Sequence, residues 1–198
     1  MRFSSILLIR PLSQSLAYDW RMTAGIGTQY TELAPSPWVI RFSSLIPAHG
    51  RILDVACGSG RHARYFASAG HTVDAVDIDL SGLKQLPVGV HLRQADIEGM
   101  PWPYPGEQFS GVIVTNYLHR PLLPTLIASV ASGGALIYET FAAGNEEFGR
   151  PARADFLLQR GELLDAVRGQ LRVVAFEDVY VNAPKPAMVQ RIAAVRES

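Results

Sequence analysis

A chain of 198 residues has room for one α/β domain with a full core and is tight for two. Lysine plus arginine equals aspartate plus glutamate at 18 each, so the formal net charge is zero, and the only lysines are Lys84 and Lys185. That balance disfavours a nucleic-acid partner, which asks for a basic excess or stripe, and 48% apolar residues exclude a largely disordered chain.

Residues 1–33 have weak periodicity and many Ser, Thr and Gln. They read as a partly ordered N-terminal extension ahead of a single domain over 34–198. The opening MRFSSILLIRPLSQSLA has an apolar core of four residues, Ile6 to Ile9, interrupted by Arg10-Pro11. A signal sequence needs about 7–15 apolar residues there, so the expectation is a cytoplasmic chain. No apolar run approaches the ~20 residues that span a bilayer, and no membrane partner is expected.

Ser36 and Pro37 then open a helix, as N-cap and first helical residue, with Trp38, Phe42, Leu45 and Ile46 on one face. ILDVA is an apolar run of the kind that forms a buried parallel strand. Gly58 and Gly60 make a tight turn. RHARYFASAG is a helix stopped at Gly70. TVDAVD is a second strand, Ser81–Leu86 a short helix before Pro87, and VHLRQAD a third strand. The Pro-rich 97–108 is a loop, GVIVTN a fourth strand, 121–130 a helix and ALIYETF a fifth strand. Residues 142–160 form a connection too long for a simple turn. A helix over 161–170 and two closing strands, LRVVAFEDVYV and MVQRIAAV, complete the pattern, the last pair antiparallel because its joint is short. The fold class is α/β, a doubly wound Rossmann-like sheet of seven strands, mostly parallel, with a C-terminal antiparallel β-hairpin.

Ligands of such sheets sit beyond the carboxyl ends of the strands. There the chain places Asp54, the turn Ala56, Cys57, Gly58 and Gly60, then Asp77 with Ile78, Asp96 with Ile97, and Asn116. A dinucleotide fingerprint needs a third glycine, and a phosphate loop needs a lysine. Both are missing. An acid ahead of the turn suits a cationic sulfonium and ammonium better than a pyrophosphate. Asp77 offers two oxygens to ribose hydroxyls, and Asp96 can accept from an adenine amino group. Together the acids describe S-adenosylmethionine. An NAD(P)-dependent oxidoreductase is the alternative carried by Gly58, Gly60 and Asp77.

LDVACGSGRHARYFASAGHTVDAVDID resembles motif I and the following acidic strand of the class I S-adenosylmethionine-dependent methyltransferases. Ala56 stands where their DxGxGxG has its first glycine. ADIEGMPWP resembles their adenine-contacting segment, which implies Asp96 and the Ile97 backbone in that role. Ser110 occupies the position of their usual acid before the fourth strand. TNYLHRPLLPTL, LIYETFAAGNEEFGRP and DFLLQRGELL are similar to small bacterial methyltransferases of the tellurite-resistance type. The resemblance implies methyl transfer and names no acceptor; the acids around the glycine turn and the neutral net charge point to a small, anionic or thiol-like acceptor, with an RNA or protein acceptor as a further alternative.

Candidates for the chemistry follow the fourth and fifth strands. Asn116 can hold substrate or donor, His119 can act as a base, Arg120 or Arg150 can bind an anionic acceptor, and Glu139 ends the fifth strand. The bland readings compete: His119 caps or pairs with Glu139, Tyr117 and Leu118 pack, Asp74 is solvated, and His62 lies on a helix surface. Cys57 is a small buried residue rather than a nucleophile. Trp102 either flanks the adenine or covers the sheet edge. No histidine or cysteine spacing matches a metal site.

Overall fold

A computed structural model describes residues 34–83 and 85–198. The expected N-terminal extension, residues 1–33, lies outside the described residues.

Ser36 caps the first helix, α1 (Pro37–Phe42): its Oγ accepts from the Trp38 and Val39 amides at 3.1 and 3.4 Å, and Pro37 needs no partner for the N–H it lacks. A 3-10 turn over Ser43–Leu45 continues it. Strand β1 (Arg51–Val55) follows, then α2 (Arg61–Ser68) and β2 (Thr72–Asp77). Gly60, the N-cap of α2, has no side chain to cap with. Asp54 takes over from the end of β1, accepting the Ala63 amide at 3.0 Å. The turn between them holds Ala56 at φ +50°, a left-handed position that costs an L-residue about 1 kcal/mol.

The short helix expected over Ser81–Leu86 is absent among the described residues: Ser81 and Gly82 form a turn. The Asp79 carboxylate accepts the Ser81 amide at 2.8 Å, a turn-forming bond that competes with helix. Strand β3 (Val90–Gln94) is mostly exposed. Strand β4 (Phe109–Thr115), a 3-10 turn (Arg120–Leu122), α3 (Leu123–Ala128) and the long β5 (Val130–Phe141) come next. After the 142–160 connection, α4 (Glu162–Val167), β6 (Arg172–Val181) and β7 (Ala187–Val195) close the chain.

One seven-stranded sheet results, in the order β3-β2-β1-β4-β5-β7-β6. The first five strands run parallel, and β7 is antiparallel to both β5 and β6. This is the architecture expected from the alternating pattern. Side chains alternate across a strand, so the sheet has two cores. One, with Leu53, Val114, Leu136 and Tyr138, packs under α3 and α4. The other, with Ile52, Ile113, Ile137 and Trp38, packs under α1 and α2. β1 and β4 are neighbours although β2 and β3 separate them in sequence. That reversal is the switch point where a crevice opens at the strand carboxyl ends.

Candidate functional site

The turn after β1 and the end of β2 face each other across that crevice. The Asp77 carboxylate accepts the Gly58 amide at 2.8 Å through Oδ2 and the Asp79 amide at 3.0 Å through Oδ1. Each oxygen keeps acceptor capacity for a ligand. Gly58 has φ +52° and nothing within 4 Å of where a Cβ would stand, so the backbone there is open to close approach. Beside this acid, Ile78 is 63% exposed. The Asp96 Oδ1 accepts the Glu98 and Gly99 amides, both at 2.9 Å, and these bonds hold its pKa below the usual carboxylate range. Met100, 65% exposed, follows in the same loop, and Ile97 is buried. Acids flanked by bare apolar side chains suit a nucleoside, whose ribose is polar and whose base is flat and largely apolar.

Asp54 plays a different part. It is 2% exposed, spent on the α2 amide, and burial pushes its pKa up to about 8 against the opposing pull of that amide and Arg61. It shapes the turn from beneath. Cys57 is buried, as expected, and burial raises its thiol pKa to about 12. It is no nucleophile in that state.

His62 overturns the surface reading. It is 1% exposed, and its Nε2 accepts the Ser36 amide at 3.1 Å while Nδ1 lies 3.5 Å from the Thr115 hydroxyl. Burial, reinforced by Arg61, pushes its pKa down to about 3, so the ring is neutral. Asp74 is likewise not solvated: it is buried and pairs with the Arg51 Nε at 2.7 Å. Alternation puts Asp74 on the covered face of β2, and Arg51 supplies the charge that burial requires.

The four candidates for chemistry diverge. Asn116, at φ +55°, is exposed and lines a cavity of about 300 Å³ with Glu98, Tyr117, Leu118, Thr140 and Phe141. Pro151 and Phe156, from the 142–160 connection, close its far side. His119 meets Glu98 rather than Glu139, Nδ1 to Oε2 at 3.7 Å. Arg120 is bound on every side: Nε and Nη2 reach the Glu162 carboxylate at 2.7 and 2.9 Å, and Nη1 and Nη2 reach the Asp155 and Leu157 carbonyls at 2.8 and 2.7 Å. It pins the long connection to α4. Glu139 lies on the opposite face of the sheet, accepting from the Ser36 hydroxyl at 2.8 Å and Arg191 at 3.0 Å. Arg150 is exposed. Trp102 packs on the core beside Tyr104, ring centroids 5.6 Å apart.

Two cavity residues escaped the sequence reading as polar groups. Among the described residues the Tyr117 hydroxyl is buried with no partner at full hydrogen-bond geometry, and burial together with the nearby Glu98 carboxylate raises its pKa. Glu98 itself sat in a segment read for the adenine alone. Thr140, a candidate together with Glu139 at the end of the fifth strand, does line the cavity, because alternation along β5 sets it opposite to Glu139.

Comparisons with known proteins fit this geometry. A family model described as a methyltransferase domain matches residues 52–132. The ribosomal protein L11 methyltransferase of Bordetella parapertussis is 38% identical over 98 residues, 46% of this chain and 31% of that protein. The malonyl-[acyl-carrier protein] O-methyltransferase of Pectobacterium atrosepticum is 30% identical over 93 residues, 44% and 36% of the two chains. The chain thus spans about a third of the length of these relatives. Among solved structures, TehB of Haemophilus influenzae superposes with a TM-score of 0.62 at 16% identity, over 81% of this chain and 61% of that one. The Burkholderia thailandensis 1,6-didemethyltoxoflavin-N1-methyltransferase, solved with its substrate and S-adenosylhomocysteine, gives 0.58 at 16% identity, over 82% and 77%. The chain thus carries a segment matching a methyltransferase domain over residues 52–132, on a sheet whose fold it shares with solved S-adenosylmethionine-dependent methyltransferases.

Proposed function

We propose that the chain transfers a methyl group from S-adenosylmethionine to a small-molecule acceptor held in the cavity beside Asn116. The observation that carries the reading is the Asp77 carboxylate across the turn from the open Gly58 backbone, with the cavity on the same end of the sheet. Asp77 and Asp96 hold ribose and adenine, the exposed Ile78 flanks the base, the Ile97 backbone meets its edge, and Ala56, Cys57, Gly58 and Gly60 supply the close backbone. Asp54 keeps that turn in shape. When bound, S-adenosylmethionine supplies a methyl carbon on a positive sulfur, which an acceptor lone pair attacks as the C–S electron pair returns to sulfur.

The chain's own contribution is alignment, worth up to about 7–11 kcal/mol in favourable cases. Phe141, Leu118 and Phe156 orient an acceptor of ring size, since about 300 Å³ is at the small end of ligand cavities. Asn116 and the Tyr117 hydroxyl are its polar contacts. His119, beside the Glu98 carboxylate, takes a proton where the acceptor arrives protonated. Arg120 and Glu139 serve by position, Arg120 holding the cavity's far wall and Glu139 the α1 entrance. Among the described residues lining the cavity none is cationic, which supports a neutral or cationic acceptor over an anionic one. The 1,6-didemethyltoxoflavin of the Burkholderia enzyme is a ring-sized precedent. The ribosomal-protein relative aligns over less than half of this chain and carries no argument for a protein acceptor.

The test is a product assay for S-adenosylhomocysteine across a panel of small aromatic and heteroaromatic acceptors. Turnover with at least one acceptor, lost in Asn116→Ala, supports the reading. Turnover confined to a ribosomal protein or RNA would replace it.

A further inference from the structure

The cavity assigned to the acceptor is uneven in charge. Among the described residues that line it, Glu98 alone carries a charge, and three aromatic rings, Tyr117, Phe141 and Phe156, stand with it. The Glu98 side chain is 50% exposed, and it meets the His119 Nδ1 at 3.7 Å, too long for a hydrogen bond. Burial first, then the Glu98 carboxylate, then the Asp96 and Asp77 charges hold the proton on the Tyr117 hydroxyl. That hydroxyl therefore reports a negative field at the cavity.

The arginines around the wall are committed elsewhere. Arg120 meets Glu162 at 2.7 Å. Arg153 meets Asp155 at 2.8 Å while its guanidinium rests 5.3 Å from the Phe156 ring centroid. Arg150 is exposed, and none of the three lines the cavity. Other acids here are matched by arginine: Asp74 and Glu107 by Arg51, Glu139 and Glu177 by Arg191. The contrast decides between acceptor classes. An anion would meet the Glu98 charge with no lining cation to offset it, and a neutral ring gains from packing alone. A protonated amine gains twice, because its N–H groups give charge-assisted bonds to the carboxylate and the aromatic faces attract a cation.

We infer that the acceptor is an amine that arrives as an ammonium ion, recognised by Glu98 among the Tyr117, Phe141 and Phe156 rings. The inference rests on the methyltransferase reading and names the acceptor class within it. The bound ammonium gives one proton to the His119 imidazole beside Glu98. Its freed lone pair bonds to the methyl carbon as the C–S electron pair returns to sulfur. The product leaves as an N-methylammonium ion, and the proton passes from His119 to water. Tyr117 keeps its own proton and so does not compete for the methyl group.

The experiment takes wild type and Glu98→Gln, each saturated with S-adenosylhomocysteine, and titrates them with three probes of similar size: benzylamine, benzyl alcohol and benzoate. Ligand-observed NMR reads the affinities. Wild type is expected to bind benzylamine about 10-fold tighter than benzyl alcohol, with benzoate the weakest. Glu98→Gln is expected to bring benzylamine to the level of benzyl alcohol, whose own affinity does not change. Benzoate binding as tightly as benzylamine overturns the inference, as does a benzylamine preference that survives in Glu98→Gln. Binding of none of the three probes by the loaded wild type overturns it too. Wild type that takes up no S-adenosylhomocysteine is a separate failure, read before any probe is added, and it sinks the methyltransferase reading itself.

Discussion

The proposed donor cradle and the proposed acceptor cavity stand at the same end of one sheet and are built in opposite ways. The cradle comes from one continuous stretch, 54–79, extended by Asp96. Its parts are backbone amides, one turn and the acids that end successive strands. The cavity gathers Glu98, Asn116–Leu118, Thr140–Phe141, Pro151 and Phe156 from four separated segments. Arg120 helps to hold its far wall by tying the 142–160 connection to Glu162. A donor that never changes is served by a local motif. An acceptor that differs from enzyme to enzyme is served by loops, which vary without disturbing the sheet.

The contrast is sharpened first by Asp77→Ala. It removes both acceptor oxygens meant for ribose and should weaken S-adenosylhomocysteine by about 100-fold, read by isothermal titration. The fold should persist, since the carboxylate is at the crevice and not in a core. An equally tight complex would break the assignment of the cradle.

The cavity side is probed by Glu162→Ala, which leaves the Arg120 guanidinium without its carboxylate. Arg120 is about one-third exposed. A loss of about 1–2 kcal/mol of stability is expected by thermal denaturation, discounted for solvent screening. Turnover should fall further than stability accounts for, while S-adenosylhomocysteine binds the folded protein as before. If donor affinity falls in parallel, the two regions are not independent.

The smallest effect concerns the seam between them. His62 is held neutral in the folded state, with a pKa near 3 against an ordinary 6.5. Its contribution to stability is therefore present above pH 6.5 and is lost as the pH falls toward 3, by at most about 1.4 kcal/mol per pH unit. Asp54 titrates in the opposite sense: with its pKa raised to about 8, its contribution is present at low pH and is lost as the pH rises through that value. The informative quantity is therefore the difference in denaturant midpoint between wild type and His62→Gln from pH 7 to pH 5. It should narrow as the pH falls. A constant difference contradicts a buried neutral ring.

The sequence was legible where physics is local. The β1 and β4 runs, the Ser36–Pro37 start of α1, the Gly70 stop of α2 and the final antiparallel pair all follow from a few neighbouring residues. So do the strand-end positions of Asp77 and Asp96. It was opaque where burial depends on distant chain. His62 looked like a helix surface residue because nothing nearby announces that Ser36, 26 residues earlier, delivers an amide to it. Asp74 looked solvated because its partner Arg51 belongs to another strand. His119 was weighed against Glu139, and the fold puts Glu139 on the other face and Glu98 beside the ring.

The central claim is that the cradle is made for a sulfonium nucleoside and not for a dinucleotide. Titrating the wild-type protein in parallel with S-adenosylhomocysteine and NADH tests it most directly. Saturable binding of S-adenosylhomocysteine with none of NADH is the predicted result. Tight NADH binding in the absence of any S-adenosylhomocysteine binding would contradict it.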